Sequence, residues 1–339
     1  MTRDVLLIGS VPLDAADSVF TAAGRELGDL LHRIPDGECG ERLDWVAWQS
    51  AAFERIPFVE HSEDDQGGSG PKGPQYRVRP GFPTAAVQFG PLGYREAAQK
   101  SYDDFKTAKA AGALAPDSRF QVGLATALSV VGQYMDDAFQ AAIEPAYEHR
   151  LLEELDEIAA LVPPEDLAIQ WNLATELSII EGRRPVYFDK IGDGILERIV
   201  RACERVPEGA ELGLHFCFRD FEFQGFPLPK DLDGVVDLAN GISGMVARSI
   251  QWMHFPVPTT ERSGAYFDPL DHLTLRDETA LFLGVIHDDD GMAVTQHQIA
   301  MARQRVANFG VACECGLSEI AADDVSAILD KHRLAAQIG

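Results

Sequence analysis

A (β/α)8 barrel forming a single domain over residues 1–339 is the fold class this chain predicts, and three observations predict it. Short runs rich in β-formers alternate with longer stretches of helical period, the pattern of a parallel sheet whose crossovers are helices. Eight such units in 339 residues close naturally on themselves. Potential metal ligands stand where three of the runs stop, at Leu214-His215-Phe216-Cys217, Trp252-Met253-His254-Phe255 and Cys313-Glu314-Cys315-Gly316, so that distant segments would converge on one rim of the barrel.

In chain order, the first run is Val5–Ser10, closed by Gly9-Ser10 and followed by a helical stretch over Ala15–Leu30. Leu31–Pro35 leads through Asp36-Gly37-Glu38 to a second helical stretch, Leu43–Phe53. Residues 62–83 break the rhythm with clustered Gly and Pro and read as an inserted loop or lid. Helix Tyr94–Ala111 then precedes strand Phe120–Leu124, and helix Ala146–Leu161 precedes strand Leu167–Asn172. Helix Ile191–Arg205 introduces Leu212–Cys217, after which residues 218–229, with Phe side chains interleaved by acids, form a second insertion on the same rim. The remaining units pair helix Leu232–Gly241 with strand Ser249–Phe255, then strand Phe282–His287, helix Ala293–Phe309, strand Val311–Cys315 and helix Val325–Gln337.

Composition narrows the function. A net charge of −25 repels phosphate backbones and anionic lipid, so neither nucleic acid nor a membrane surface is an expected partner. The apolar run Val5–Ile8 is too short for a signal-peptide core, and no other approaches the roughly 20 residues of a membrane span. Five cysteines, an odd number without even spacing, do not form a disulfide framework, and reduced thiols in a cytoplasmic setting are expected.

Zinc takes thiolate, imidazole and sometimes carboxylate in a tetrahedral shell. Alternate residues of a strand share a face, so His215 and Cys217 can reach one ion while Phe216 points away. Cys313 and Cys315 obey the same rule with Glu314 opposite, and period alone does not choose between them. Phe282–Gly291 ends in His287-Asp288-Asp289-Asp290, an imidazole beside carboxylates; this suits a general acid, and equally an Asp-rich turn that caps the next helix.

The motifs Ile8-Gly9-Ser10-Val11-Pro12, Asp36-Gly37-Glu38 before Arg42, His215-Phe216-Cys217 and Glu314-Cys315-Gly316-Leu317 occur in the order found in the catalytic domain of cobalamin-independent methionine synthase, which the chain resembles from residue 8 to about 317. Related forms occur in the wider group of barrels that includes uroporphyrinogen decarboxylases. The resemblance implies a zinc cofactor that holds a substrate thiolate for alkylation, with His215, Cys217 and Cys315 as three ligands. Where the family has a Glu, this chain offers His254, expected as fourth ligand with Cys313 and Glu222 as competitors. The resemblance also implies that Ile8, Gly9 and Ser10 bind a substrate carboxylate and Glu38 its ammonium. Asn172 stands where a second carboxylate is usual, and Glu176 is placed to restore that charge. The family's catalytic His falls near His287 or Asp289, the register being open by two residues.

These readings give a zinc-dependent alkyl or methyl transferase acting on a small-molecule thiol or amino acid. Phe120–Ser129 lacks the family's Trp-bearing folate segment, and the acidic surface disfavours a polyglutamyl folate, so the donor stays open. Two alternatives are a metal-free lyase or decarboxylase on the same barrel and a metal- or amino-acid-binding barrel without turnover.

Overall fold

The structure, a computed structural model, describes residues 4–44, 46–62, 75–288 and 291–338. Its strands are β1 (Arg33–Pro35), β2 (Val59–His61), β3 (Tyr76–Val78), β4 (Arg119–Ala125), β5 (Leu167–Leu173), β6 (Glu211–Phe216), β7 (Trp252–Pro256), β8 (Ala280–Ile286) and β9 (Gly310–Cys313). Seven of them form one parallel sheet in the order β1-β4-β5-β6-β7-β8-β9. Residues 5–10 close it: Val5 bridges Leu31 on one side and Val311 on the other, and Ser10 bridges Gly37. The barrel predicted from sequence is thus present, with the helices packed outside in a continuous apolar layer. None of the described helices is long and apolar enough to cross a membrane.

The expected first strand has few ladder bonds for a physical reason. The carbonyls of Leu7 and Ile8 are taken from inside the barrel, by Gln121 Nε2 at 3.0 and 2.9 Å and by Gln170 Nε2, which donates to Ile8 at 2.7 Å. Side-chain amides satisfy backbone acceptors that a regular sheet would give to a neighbouring strand. The expected helix Leu43–Phe53 is broken into 3-10 turns at Gly40–Leu43 and Ala47–Gln49 and a short helix Ser50–Glu54, because Asp44 leaves helical geometry at φ −90°, ψ 68°. The helix expected over Ala293–Phe309 runs from Gly291 to Ala302, and the one before β5 extends back to Asp137. The insertion at 62–83 follows β2 and contains its antiparallel partner β3, residues 63–74 lying outside the described segments. In the insertion at 218–229, Arg219–Gln224 is helical.

Inward positions are layered. At the amino-terminal end Arg33 and Arg119 both pair with Glu211, and the Arg33 guanidinium lies 4.6 Å from the centre of the Trp252 ring. Above them a separate core of Leu6, Ile8, Ala168, Trp252, Phe282 and Ala312 fills the barrel. It fits because large side chains face glycines on neighbouring strands: a Cβ at Gly213 would stand 1.8 Å from the Trp252 ring, and one at Gly310 would stand 2.3 Å from Phe282. This plug is the floor of the upper half, where Asn172, His215 and His254 share one register level.

Gly213→Ala and Gly310→Ala should each destabilise the protein by about 1–3 kcal/mol through overpacking. Urea unfolding would measure the loss, and wild-type stability in both variants would refute the packing account.

Candidate metal centre

Three ligating groups meet at the carboxyl rim. Single ligand atoms of His215, Cys217 and Cys315 lie within 4.8 Å of one another. Cys217 Sγ is 3.3 Å from Cys315 Sγ, and Cys315 Sγ is 3.6 Å from His215 Nε2. A tetrahedral zinc with bonds of about 2.3 Å to sulfur and about 2.0–2.1 Å to nitrogen would separate its ligands by about 3.8 Å for sulfur to sulfur and about 3.6 Å for sulfur to nitrogen. The donor set fits such an ion in both spacing and chemistry. His215 and Cys217 arrive from β6 and its end as the period of two requires. Cys315 does not, because β9 stops at Cys313 and Cys315 sits in the loop beyond it. A register shift between β8 and β9 accompanies this turn.

His254, expected as the fourth ligand, does not join the three. Its Nδ1 is 2.8 Å from His215 Nδ1, and its Nε2 is 3.0 Å from the Cys313 carbonyl oxygen. A carbonyl can only accept, so His254 carries its proton on Nε2 and presents a lone pair at Nδ1. His215 must then donate from Nδ1, which leaves His215 Nε2 as the atom that turns to the sulfurs. His254 is fully buried, and burial, with His215 beside it, depresses its pKa well below the ordinary value, in keeping with a neutral ring that accepts from its neighbour. Of the two competitors, Cys313 directs its side chain into the outer core and contributes its carbonyl instead. Glu222 lies in the adjoining cavity, outside the cluster.

Between them the two sulfurs lose one proton easily and hold the other firmly across their contact. The contact with Cys217, then His215 and Arg219, lowers the Cys315 thiol well below its usual range against the effect of burial. Cys217 moves the other way, because it donates to Cys315 and is buried. The Arg219 backbone N–H also points at Cys217 Sγ, at 3.4 Å.

A second group of predicted residues gathers on the adjoining part of the rim. Asp36 accepts from Arg42 at 2.5 Å, from Ser101 Oγ at 2.6 Å and from the Glu38 N–H at 2.9 Å, and so locks the Asp36-Gly37-Glu38 turn. Glu38 is held at φ 48°, a left-handed conformation costly for a side chain of its kind and common at functional positions. Its carboxyl lies against Gly9 and Gly123, where a Cβ would stand 3.1 Å away in each case, and the Asn172 amide also faces Gly123. Burial raises the Glu38 pKa to about 8, with Asp36 and Cys315 adding to the rise and Arg42 opposing it. Ser10 is buried with its hydroxyl against Gly316, and its carbonyl accepts from Leu317 N–H at 2.8 Å, so the first and last motifs touch. Ile8 belongs to the inner core and offers its carbonyl to the two glutamines. Asn172 Oδ1 accepts from Gln170 Nε2 at 2.9 Å. Glu176 is directed elsewhere: its carboxylate accepts from Thr126 and from Ser129 Oγ at 3.1 Å, under the helix Ala127–Tyr134, and burial raises its pKa to about 7.

His287 is buried at the end of β8 with a partner on each ring nitrogen, Thr259 Oγ1 at 3.0 Å from Nδ1 and Gln298 Oε1 at 2.9 Å from Nε2. Asp289 lies outside the described residues. A cavity of about 350 Å³ opens between His287 and Cys315. Glu314 lines it, its carboxyl pushed well above the carboxylate range by burial and then by Glu222 and Cys315. A larger cavity, about 860 Å³, is at the other end of the barrel near Asp4, Ala280 and Gly310, where the structure places none of the three candidate ligands. Sequence reasoning missed Gln121, Thr259, Gln298 and the place of Glu314 on this cavity, since each acts through a fold-dependent contact with a distant segment.

No protein-family model matches the chain, and no curated protein sequence matches it. Solved structures do share its fold. A B12-independent methionine synthase from Shewanella sp. W3-18-1, solved in complex with selenomethionine, superposes with a TM-score of 0.64 at 13% identity over 100% of this chain and 97% of its own. A putative vitamin-B12 independent methionine synthase from Listeria monocytogenes gives 0.53 at 12% identity, with 98% of each chain covered.

Removing the His254 ring should leave His215 Nδ1 without its acceptor. His254→Ala is expected to weaken divalent metal binding about 10–100-fold, and His254→Gln, which can still accept, should restore much of it. Competition against a chromophoric chelator measures both, and equal affinities would count against the relay. Glu38 gives a pH signature. The folded state keeps a proton up to about 8 that the unfolded chain releases near 4.5, so its stability contribution is full below 4.5 and is lost as pH rises through 8. Glu38→Gln should therefore gain stability relative to wild type across that window, as followed by denaturant midpoints; a constant offset would contradict the assignment.

Proposed function

We propose that this barrel is a zinc-dependent alkyl transferase that activates the thiol of a small substrate, an amino acid being the reading that fits its rim. The observation that supports this is the meeting of two thiols and one oriented imidazole nitrogen beside the Glu38 pocket. Bound there, zinc would supply the acidity that makes a coordinated thiol a thiolate at neutral pH. Three protein ligands leave a fourth position for the substrate, as catalytic zinc sites do.

The chain's own groups account for the rest. His215 is held in the tautomer that ligates, and Cys217 and Cys315 offer two negative charges when deprotonated. On this reading Glu38 receives the substrate ammonium and ionises as it does so, since a cation beside it reverses the burial that keeps it protonated. Backbone groups at Gly9 and Ser10 face the carboxylate end, an arrangement inferred from the resemblance of those motifs. The Shewanella neighbour's complex with selenomethionine is in keeping with an amino-acid ligand for the fold. His287 stands across the cavity with its ring positioned by Thr259 and Gln298, a wall residue of the space where the alkyl donor would sit.

Protein purified without a metal-affinity tag should carry about one zinc per chain, and Cys217→Ser and Cys315→Ser should lose it. The cobalt-substituted protein should shift its visible spectrum on addition of homocysteine. Metal-free wild-type protein that takes up no zinc would sink the proposal.

A further inference from the structure

The cavity beside Cys315 has a charge unusual for a donor site. Glu222, Glu314, Glu319 and Asp288 line it against one arginine, Arg219, which already pairs with Glu319 at 2.5 Å and Glu222 at 3.6 Å. Glu314 is held in its wall, and Oε1 of that carboxyl is buried without a hydrogen-bond partner among the described residues. A buried carboxyl oxygen with nothing to meet it is costly, and a cation in the cavity would remove that cost.

We propose that this cavity admits a cationic alkyl donor, a sulfonium, with Glu314 and Glu222 as the groups that meet its charge. The inference rests on the thiol-activating reading above. His287 supports it. Gln298 Nε2 donates to the Pro258 and Glu261 carbonyls at 3.0 and 3.1 Å, so its Oε1 must accept from His287 Nε2–H, and Thr259 engages the other nitrogen. The proton on Nε2 is thus committed to Gln298 and is not aimed at a leaving group. A neutral amine or folate-like donor needs such a proton when its C–N bond breaks, whereas a sulfonium does not. The substrate thiolate forms a bond to the transferred carbon, the C–S⁺ bond breaks, and its electron pair stays on the departing sulfur. One anion and one cation become two neutral thioethers, with no proton moved and no oxidant required.

The test uses the zinc-loaded full chain with homocysteine as acceptor and trimethylsulfonium as donor, dimethyl sulfide being read in the headspace. Dimethyl sulfide and S-methylated homocysteine are expected in equal amounts. Glu314→Gln should raise the trimethylsulfonium KM at least tenfold, and Glu222→Gln should raise it less, while the homocysteine-dependent cobalt spectrum stays unchanged in both. If Glu314→Gln does not fold, the Glu222→Gln shift decides. No saturable trimethylsulfonium binding in protein that holds zinc and homocysteine normally would overturn the donor and leave thiol activation standing. Wild-type KM values in the variants would overturn it equally. Protein that binds no zinc would remove both readings.

Discussion

The relay from the Cys313 carbonyl through His254 to His215 is the interaction on which the site depends. It begins with a backbone acceptor at the end of β9, crosses to β7 and ends on β6, so three strands must hold register for one nitrogen to face the sulfurs. Replacement of the carbonyl by a side chain would not fix it as firmly, because a backbone oxygen at a strand end cannot rotate away. A histidine that accepts from another histidine also contributes no charge. The arrangement orients a ligand without adding an anion to it, unlike a carboxylate in the same place.

Register is in turn held by the core beneath. Trp252 over Gly213, one inward position below the imidazoles, and Phe282 over Gly310, at the register position of His254, interlock neighbouring strands. Slipping β7 by one residue would put the indole where a strand backbone must pass and would turn His254 outward. The Gln121 and Gln170 amides add a second constraint, pinning residues 7 and 8 to β4 and β5 and so setting the height of Gly9 and Ser10. Ser10 then meets Gly316, which joins the end of the first segment to the loop that carries Cys315. The turn that carries Ser10 and the loop that carries Cys315 are coupled through that contact.

Much of this was legible in the residues. β5 and the strand ending at Cys217 stand out as apolar runs that are buried along nearly all their length, and period two places His215 and Cys217 on one face. The Asp36-Gly37-Glu38 turn and Ser10 could be paired by resemblance. What could not be read depends on contacts across the barrel. The strand ends put His254 on the same rim as His215, yet which imidazole turns to the thiols is decided by a carbonyl 59 residues away. The same limit applies to Cys315, which reaches the site from a loop after the strand has ended, and to Glu176, whose carboxylate is drawn off by Thr126 and Ser129. The first strand looked regular because its hydrophobic pattern is regular; its hydrogen bonds go to amides whose proximity only the closed barrel creates.

On the proposed reading, a site with two cysteine ligands has a chemical problem that the surroundings address. Any electrophile able to alkylate a substrate thiolate can also alkylate the protein's own sulfurs, so the incoming sulfur must be the richer nucleophile. Here the Arg219 backbone N–H is directed at Cys217, and the Arg219 side chain contributes positive potential at Cys315. Hydrogen bonding and positive potential stabilise charge on a thiolate and so lower its reactivity toward carbon. A substrate thiolate entering from the cavity side would lack the Arg219 backbone N–H, which is already given to Cys217. On the proposed reading the hydrogen bond and the positive charge that Arg219 gives the protein's own sulfurs favour the substrate thiolate as the one that is alkylated.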